Sequence, residues 1–262
     1  MPGQPPAMAS PAARPLAVVT GASSGIGVEL ARQFATNGFD LIISADDDGL
    51  AAAQRALSVA GDVQVEAVRV DLATDEGVDE LYDRITATGR PVAALALNAG
   101  NGAGGSFAVS DGHRAELAQE LRIVDLNVRS TVHLARHVVS DMVDRDEGRL
   151  LFTSSIASAM PGPFQAVYNA STSFVQSFAL ALRNELEDTN VTVTSLMPGP
   201  TDTEFFERAD MLDTKVGAGD KDDPAEVARD GFEALMAGEE RVISHAAKTN
   251  VQGRAGRYAP AG

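Results

Sequence analysis

A glycine-rich segment near the N-terminus has the spacing of a phosphate-binding loop. It reads "TGASSGIG" over residues 20–27, directly between the apolar run "LAVVT" and a helical pattern. Glycine lets the chain turn sharply and lets backbone N–H groups approach a pyrophosphate, and the N-terminus of the following helix favours the anion. The strand–loop–helix context therefore predicts a dinucleotide site. The predicted cofactor contacts in this segment are Gly21, Ser23, Ser24, Gly25, Ile26 and Gly27.

An acidic residue follows at the distance expected of a ribose ligand. Asp46 ends the apolar run "DLIISA", 19 residues after Gly27. Its carboxylate can accept hydrogen bonds from both ribose hydroxyls, and with Asp47 and Asp48 it would repel a 2′-phosphate. No lysine or arginine occurs in the glycine-rich segment, so NAD is favoured and NADP is the alternative. An acidic helix start in solvent also explains Asp47 and Asp48.

Two hydroxyl side chains further along form a second candidate for chemistry. Ser155 ends the run "GRLLFTSS", and Tyr168 opens a helical run 13 residues later. A serine and a tyrosine held together can donate hydrogen bonds and move a proton, which indicates half of an acid–base site. Each residue also has a structural explanation. Ser155 can simply end a strand, as Ser154 can, and Tyr168 can belong to the core.

An alternation of strands and helices must position these residues. Apolar runs predict strands at residues 16–20, 40–45, 63–71, 92–100, 148–155 and 191–199, separated by helical patterns at 28–38, 47–61, 75–89, 115–144 and 165–188. After residue 200 the chain is acidic, then "DPAEVARDGFEALMAG" predicts a helix and "RVISH" an edge strand. Near-continuous apolar strands indicate a parallel sheet covered on both faces. We predict a single doubly wound Rossmann-type α/β domain with about seven strands.

The composition of the chain limits which kinds of site and which partners it can have. The chain has 262 residues, of which 44% are hydrophobic, and no cysteine, which excludes disulfides, thiol nucleophiles and thiolate metal sites. Its formal net charge of −16 argues against nucleic acid and anionic membranes as partners. Residues 1–15 are predicted to be a disordered leader, 16–245 the domain and 246–262 a poorly ordered tail. No apolar run approaches the ~18–20 residues of a membrane span, which predicts a cytoplasmic protein.

Over roughly residues 15–245 these features resemble the short-chain dehydrogenase/reductase family. The matching segments, in order, are "TGASSGIG", "VDL" (70–72), "NAG" (98–100), "LNV" (126–128), "SS" (154–155), "YNAS" (168–171) and "PGPTDT" (198–203). The resemblance implies hydride transfer between a nicotinamide cofactor and a small alcohol or carbonyl substrate. It also implies a homodimer or homotetramer assembled through the helices at 115–144 and 165–188.

The resemblance implies a role for each matching residue. Asp71 and Leu72 would contact the adenine, Asn98, Ala99 and Gly100 the adenosine ribose, and Pro198, Gly199, Thr201 and Thr203 the nicotinamide carboxamide and phosphates. Ser155 would stabilise negative charge on the substrate oxygen, and Tyr168, also against the cofactor, would be general acid or base. Asn127 would hold a water in a proton relay. Residues 204–223, with Phe205 and Phe206, would form the substrate loop and favour a partly apolar substrate.

One position departs from the family pattern. Four residues after the tyrosine the family has a lysine that binds the nicotinamide ribose, and this chain has Thr172. Residues i and i+4 share a helix face, so a lysine there would place a cation near the phenol. A neighbouring positive charge typically lowers a pKa by ~1–3 units, so its loss leaves Tyr168 less ionised at neutral pH. Threonine keeps a hydroxyl for the ribose but supplies no charge.

No other cation is an obvious substitute. Arg183 and Arg129 are placed badly along their predicted helices, and Lys215 and Lys221 would have to move in from the substrate loop. His133 and His137 have i, i+4 spacing, which can suit a metal. Without a supporting carboxylate pattern, a helix surface or subunit interface explains the two histidines better, and no metal is assigned.

Thr172 leaves the function open between alternatives. The first hypothesis is a nicotinamide-dependent oxidoreductase with impaired turnover. The second is a dinucleotide-binding protein with little catalysis and a regulatory or structural role. An engineered inactivating change at Thr172 also fits the sequence. Non-redox chemistry such as halohydrin dehalogenation ranks last, because relatives with that activity lose the glycine loop and keep a cation at this position.

Overall fold

The computed structural model describes residues 14–108, 116–159, 162–205 and 221–244. The predicted leader, except for residues 14 and 15, and the predicted tail lie outside these ranges. So do most of the predicted substrate loop and, with it, Phe206 and Lys215.

Seven parallel strands form the sheet, as predicted. They are β1 (Leu16–Thr20), β2 (Asp40–Ala45), β3 (Val65–Arg69), β4 (Val92–Leu97), β5 (Gly148–Thr153), β6 (Val191–Met197) and β7 (Arg241–Ile243). The spatial order is β3-β2-β1-β4-β5-β6-β7. The strand order reverses beside β1, which pairs with both β2 and β4. A crevice at the carboxyl ends of strands is expected at such a switch point.

Helices cover both faces of this sheet. They are α1 (Gly25–Thr36), α2 (Leu50–Gly61), α3 (Asp75–Ala87), α4 (Leu117–Ile123), α5 (Ser130–Arg145), α6 (Ala166–Glu185) and α7 (Pro224–Ala237). A short 3₁₀ turn, Ile156–Ser158, follows β5. The long helix predicted at 115–144 is interrupted by a π-helical turn, Val124–Arg129, which joins α4 to α5.

Two apolar clusters fill the layers on either side of the sheet. One contains side chains of α3, α5 and α6, such as Leu81, Leu134 and Val175, and the other contains side chains of α1, α2 and α7, such as Phe34 and Leu57. Burying a side chain of this size contributes about 1.5–3 kcal/mol, so the two clusters are the main source of stability. They hold the carboxyl ends of the strands, where the predicted site residues lie, in fixed positions. None of the helices within the described ranges is both long enough and apolar enough to cross a membrane.

Candidate active site

The glycine-rich loop lies between β1 and α1 at the switch point. Gly25 has φ +56°, a left-handed conformation, and a Cβ there would stand 2.9 Å from Thr203 Cγ2. A Cβ on Gly27 would stand 2.6 Å from Asn98 Nδ2. Side chains are therefore excluded where a pyrophosphate would approach the helix N-terminus. Thr203 lies opposite the loop, and the contacts of the loop with a dinucleotide stay a prediction.

Asn98 joins three strands beneath this loop. Its Nδ2 donates to the Thr20 carbonyl at 3.2 Å, and its Oδ1 accepts from Thr153 Oγ1 at 3.1 Å. The backbone N–H groups of Asn98 and Ala99 both donate to Thr20 Oγ1 at 3.0 Å. The "NAG" turn thus ties β4 to β1 and β5. Gly100 completes the turn, and a Cβ there would be 3.4 Å from Asn127 Oδ1.

Arg122 connects the two acidic residues predicted to hold adenosine. Its guanidinium donates to both carboxylate oxygens of Asp71, at 2.9 and 3.0 Å, and to Asp46 Oδ2 at 3.0 Å. The hydrogen bonds from Arg122 hold the pKa of the Asp71 carboxyl below its usual value. Sequence reasoning missed Arg122, which lies in α4, 76 residues after Asp46. The Asp46–Arg122–Asp71 cluster brings the β2, β3 and α4 ends together.

The residues next to this cluster have structural contacts of their own. Ser23 Oγ donates to Asp47 Oδ2 at 2.6 Å, which links the glycine-rich loop to the loop after β2. Asp48 is exposed and forms an ion pair with Arg69. The Leu72 side chain is buried in the apolar cluster with α3, and its contact with adenine stays a prediction.

Tyr168 and Ser155 come together, as the sequence predicts. Ser155 follows β5 and its hydroxyl accepts a hydrogen bond from Ala157 N at 3.1 Å, while Tyr168 lies in the first turn of α6. Burial raises the pKa of the Tyr168 phenol, and a hydrogen bond with Ser155 offsets part of that rise. The phenol is therefore protonated at neutral pH. The pair can present two hydroxyl groups to a substrate oxygen.

Phe205 covers the tyrosine from the start of the predicted substrate loop. Its ring lies 5.3 Å from the Tyr168 ring, centroid to centroid, at 49°. A Cβ on Gly102 would collide with the Phe205 ring, so the ring also rests on the loop that follows β4. Phe205 thereby gives the crevice an apolar wall next to the two hydroxyls.

Thr172 is buried one turn after Tyr168, and its side chain faces its own helix. Its hydroxyl donates to the Asn169 carbonyl at 3.1 Å. The predicted hydrogen bond to a ribose would require that hydroxyl to leave this partner. Ser154 Oγ donates to the Thr172 carbonyl at 3.0 Å, so Ser154 has the structural role expected for it, joining the end of β5 to α6.

Asn127 lies in the π-helical turn and is buried between two segments. Its Oδ1 accepts from Asn101 N at 2.9 Å, and its Nδ2 donates to the Asn101 carbonyl at 2.9 Å and to Ser171 Oγ at 3.0 Å. The side-chain amide thus joins the loop after β4 to the helix that carries Tyr168. Both hydrogen atoms of the amide have protein partners, so a water in the predicted relay would be held by the second lone pair of Oδ1 or by the backbone of this turn.

The three considered cations that lie within the described ranges are engaged elsewhere. Arg183 donates to the Val193 and Gly238 carbonyls, and Arg129 pairs with Asp75. Lys221 lies 3.9 Å from Asp202 Oδ1. These contacts place none of the three where the family lysine would be.

In the "PGPTDT" segment, some residues are bonded to other parts of the protein and one faces the glycine-rich loop. The Pro198 carbonyl accepts from Ile156 N at 3.0 Å, and Gly199 N donates to Ser244 Oγ at 3.0 Å. Thr201 is buried and its hydroxyl donates to the Gly199 carbonyl at 2.9 Å. Thr203 is the member of the segment that faces the glycine-rich loop. The glycine contacts, the acidic cluster and the hydroxyl pair together fit a nicotinamide dinucleotide lying along the crevice.

Comparisons with known proteins agree with this geometry. The family model for short chain dehydrogenase matches residues 15–211. Sulfoacetaldehyde reductase 2 of Chromohalobacter salexigens is 31% identical over 192 residues, covering 72% of this chain and 74% of the relative. The solved short-chain dehydrogenase from Sphingobium yanoikuyae in complex with NADPH has a TM-score of 0.80 at 26% identity, covering 93% and 94% of the two chains. A short chain dehydrogenase/reductase from Burkholderia phymatum in complex with NAD has a TM-score of 0.80 at 25% identity, covering 95% and 97%.

Proposed function

The chain belongs to the short-chain dehydrogenase family and is an oxidoreductase that uses a nicotinamide cofactor, and we propose that it reduces a partly apolar carbonyl compound. The observation that carries the proposal is the Tyr168–Ser155 pair. The pKa of the phenol is raised, so Tyr168 is held in the proton-donating form that carbonyl reduction needs. The bound nicotinamide would supply the hydride.

The protein side of the reaction is proton delivery and charge stabilisation. Ser155 and Tyr168 donate hydrogen bonds to the substrate oxygen, which becomes negative as the carbonyl is reduced. Tyr168 then gives its proton to that oxygen. The reverse reaction needs the phenolate, which the raised pKa disfavours. Thr172 supplies no positive charge to counter this effect, so reduction is favoured over oxidation.

NAD is the proposed cofactor, with Arg122 as a positioning residue. Arg122 holds the Asp46 carboxylate at the end of β2, where it can accept hydrogen bonds from both ribose hydroxyls. The carboxylates of Asp46, Asp47, Asp48 and Asp71 outnumber the two arginines paired with them, Arg69 and Arg122, and the excess negative charge opposes a 2′-phosphate. Relatives of known structure have been seen with NADPH and with NAD, so the family alone does not decide the cofactor.

An apolar helix surface supports the proposal of a homo-oligomer. The exposed side chains are Leu121 on α4, Val124 on the π-helical turn and Phe174 on α6. Exposed apolar side chains grouped on neighbouring elements are typical of subunit interfaces. These elements fall within the two segments that the family resemblance assigns to assembly.

The test combines cofactor binding with turnover. NADH and NADPH are titrated by fluorescence, and aldehydes and ketones of graded size are screened with the native chain and with Tyr168→Phe. We expect NADH to bind both proteins and Tyr168→Phe to lose about 100-fold or more of the reductase rate, as expected for a general acid. Equal turnover by the two proteins would overturn the role of Tyr168, and failure of both dinucleotides to bind would overturn the cofactor site.

A second candidate function is dinucleotide binding with little catalysis. The observation that favours it is the Thr172 hydroxyl, which is bonded to its own helix and not directed toward a ribose. In that case NADH binds, but neither the native chain nor Thr172→Lys turns over any carbonyl or alcohol. Strong turnover by the Thr172→Lys variant would instead identify an impaired oxidoreductase.

A further inference from the structure

Two histidines of α5 and an aspartate of α3 form a cluster apart from the active site. His133 and His137 lie one turn apart, and Asp79 faces them from the neighbouring helix. Asp79 Oδ1 is 3.1 Å from His133 Nε2 and 3.9 Å from His137 Nε2, and one ligand atom from each residue lies within 4.8 Å of the others. The carboxylate that the sequence pattern lacked is therefore supplied by a different helix.

We propose that Asp79, His133 and His137 bind a divalent transition metal ion, with Zn²⁺ as the best match. Imidazole nitrogens and a carboxylate oxygen are ligands that suit Zn²⁺, and each binds at about 2.0–2.2 Å. At a tetrahedral metal, bonds of that length place neighbouring ligand atoms about 3.4 Å apart. The two separations from Asp79 Oδ1, 3.1 and 3.9 Å, lie on either side of that value. Small side-chain rotations bring all three ligands to one ion, with the fourth position left to water.

The surroundings orient both imidazole rings. His133 Nδ1, on the side of the ring away from the site, lies 3.5 Å from Asp75 Oδ1. A carboxylate behind a ligating histidine is the usual outer partner in metal sites, because it fixes the ring and raises its basicity. Arg129 pairs with Asp75 in turn. Asp75 would thus serve as the outer carboxylate of His133.

His137 is fixed by a different contact. Its ring stacks on the Tyr82 ring, with centroids 4.4 Å apart and an angle of 16° between the planes. The Tyr82 hydroxyl donates to Asp141 Oδ2 at 3.0 Å, which holds the tyrosine in place. Both histidines are partly buried, so each ring can reach the ion while losing little rotational freedom.

An ion at this site would join α3 to α5 on one face of the sheet. The π-helical turn that carries Asn127 leads directly into α5, so the link would also stabilise the helix next to the active site. The ion would act as a structural cross-link between helices and take no part in hydride transfer. Metal that binds the folded chain alone raises the midpoint of thermal unfolding.

Calorimetric titration of the full, untagged, metal-free chain with Zn²⁺ tests the proposal. We expect one ion per chain. His133→Gln, His137→Gln and Asp79→Asn should each weaken binding by at least about tenfold, the scale on which even outer-layer changes act. Asp83→Asn is the matched control, because Asp83 is an exposed acid one turn along α3 from Asp79. It should bind Zn²⁺ as the native chain does.

Thermal unfolding provides the second readout and a check on folding. At ten times the dissociation constant, Zn²⁺ should raise the Tm of the native chain by roughly 3–6 °C and leave the Tm of the double variant His133→Gln/His137→Gln unchanged. Circular dichroism establishes that the variants are folded. The site is overturned if the native chain binds no Zn²⁺, or if the double variant binds it equally well. Binding without a rise in Tm would overturn the cross-link between α3 and α5.

Discussion

The ring of Phe205 packs against the ring of Tyr168, 5.3 Å away, and covers part of the residue proposed as the proton donor, which is half-buried. Phe205→Ala should let more water reach the phenol, and the pKa of Tyr168 should fall toward its usual value. We expect the alkaline limb of the reductase pH–rate profile to move to lower pH. We also expect KM for apolar carbonyl compounds to rise by about tenfold through loss of apolar contact.

Val59→Ala is the control for this change. Val59 is also an apolar side chain, but it is exposed on α2, away from the proposed site and the proposed subunit interface. Its removal should leave both KM and the pH–rate profile unaltered. A Phe205→Ala variant indistinguishable from the Val59→Ala variant would remove Phe205 from the site.

The pH dependence should differ between the two reaction directions. Burial raises the pKa of Tyr168 above the usual value of about 10, so the proton donor stays protonated through neutral pH. Carbonyl reduction should therefore be level from neutral pH upward and fall only above about pH 10. Alcohol oxidation needs the phenolate and should rise about tenfold for each pH unit over the same range. Initial rates in both directions, in buffers of constant ionic strength, check this prediction.

Thr172→Lys should restore the missing positive charge. A cation near the phenol lowers its pKa by ~1–3 units, so the oxidation rate at neutral pH should rise by roughly tenfold to a thousandfold. Thr172→Met is the control, because methionine adds length without charge and should give no gain. A comparable gain in both variants would assign the effect to packing and not to charge.

Arg122→Met should weaken NADH binding by about tenfold, equivalent to about 1.4 kcal/mol, because Asp46 and Asp71 lose the group that holds them. The exposed Arg136 on α5 provides the control variant, Arg136→Met.

The stability of the Arg122→Met variant should also change. Arg122 lowers the pKa of Asp71, so the pair stabilises the fold above the usual carboxyl range and this contribution is lost as the pH falls. Acid unfolding of the Arg122→Met variant should accordingly begin at higher pH.

Asn127→Ala should cost about 2–4 kcal/mol of unfolding free energy. The change removes three hydrogen bonds and leaves the backbone of Asn101 without its side-chain partner in a buried position. The exposed Asn184→Ala should stay within about 0.5 kcal/mol of the native chain. Denaturant unfolding at neutral pH measures both. A value for Asn127→Ala no larger than for Asn184→Ala would show that the amide does not join the two segments.

Much of the fold could be predicted because its strands are buried on both faces. The continuous apolar run at Leu41, Ile42 and Ile43 has no solvent face, which is typical of a parallel sheet, and the sheet is parallel throughout the described ranges. The π-helical turn at Val124–Arg129 could not be predicted, because helical periodicity does not distinguish a bond to residue i−4 from one to i−5. The side-chain amide of Asn127 in this turn bonds to Asn101 and Ser171, which lie on other segments 26 and 44 residues away.

The site was predictable where short motifs carry the geometry. Ser155 and Tyr168 are hydrogen-bonded to each other as expected, because Ser155 follows β5 and Tyr168 lies in the first turn of α6. The cofactor contacts of the glycine-rich loop stay predictions. Arg122 was missed because its partners are 51 and 76 residues away, and no local pattern connects them. Asp79 was missed as a partner of His133 and His137 for the same reason, because the two histidines lie on another helix. The roles of Thr201 and Gly199 at the cofactor stay predictions, since Thr201 is bonded to the Gly199 carbonyl and Gly199 N to Ser244.

The hydrogen bond from Ser154 to the Thr172 carbonyl separates the geometry of this site from its charge. The bond uses a main-chain atom, so a change of the side chain at position 172 leaves the acceptor that links α6 to the end of β5 in place. Tyr168 can therefore keep its position beside Ser155 whether the residue at position 172 is neutral or charged, and the proton-transfer chemistry can be tuned there separately from the scaffold.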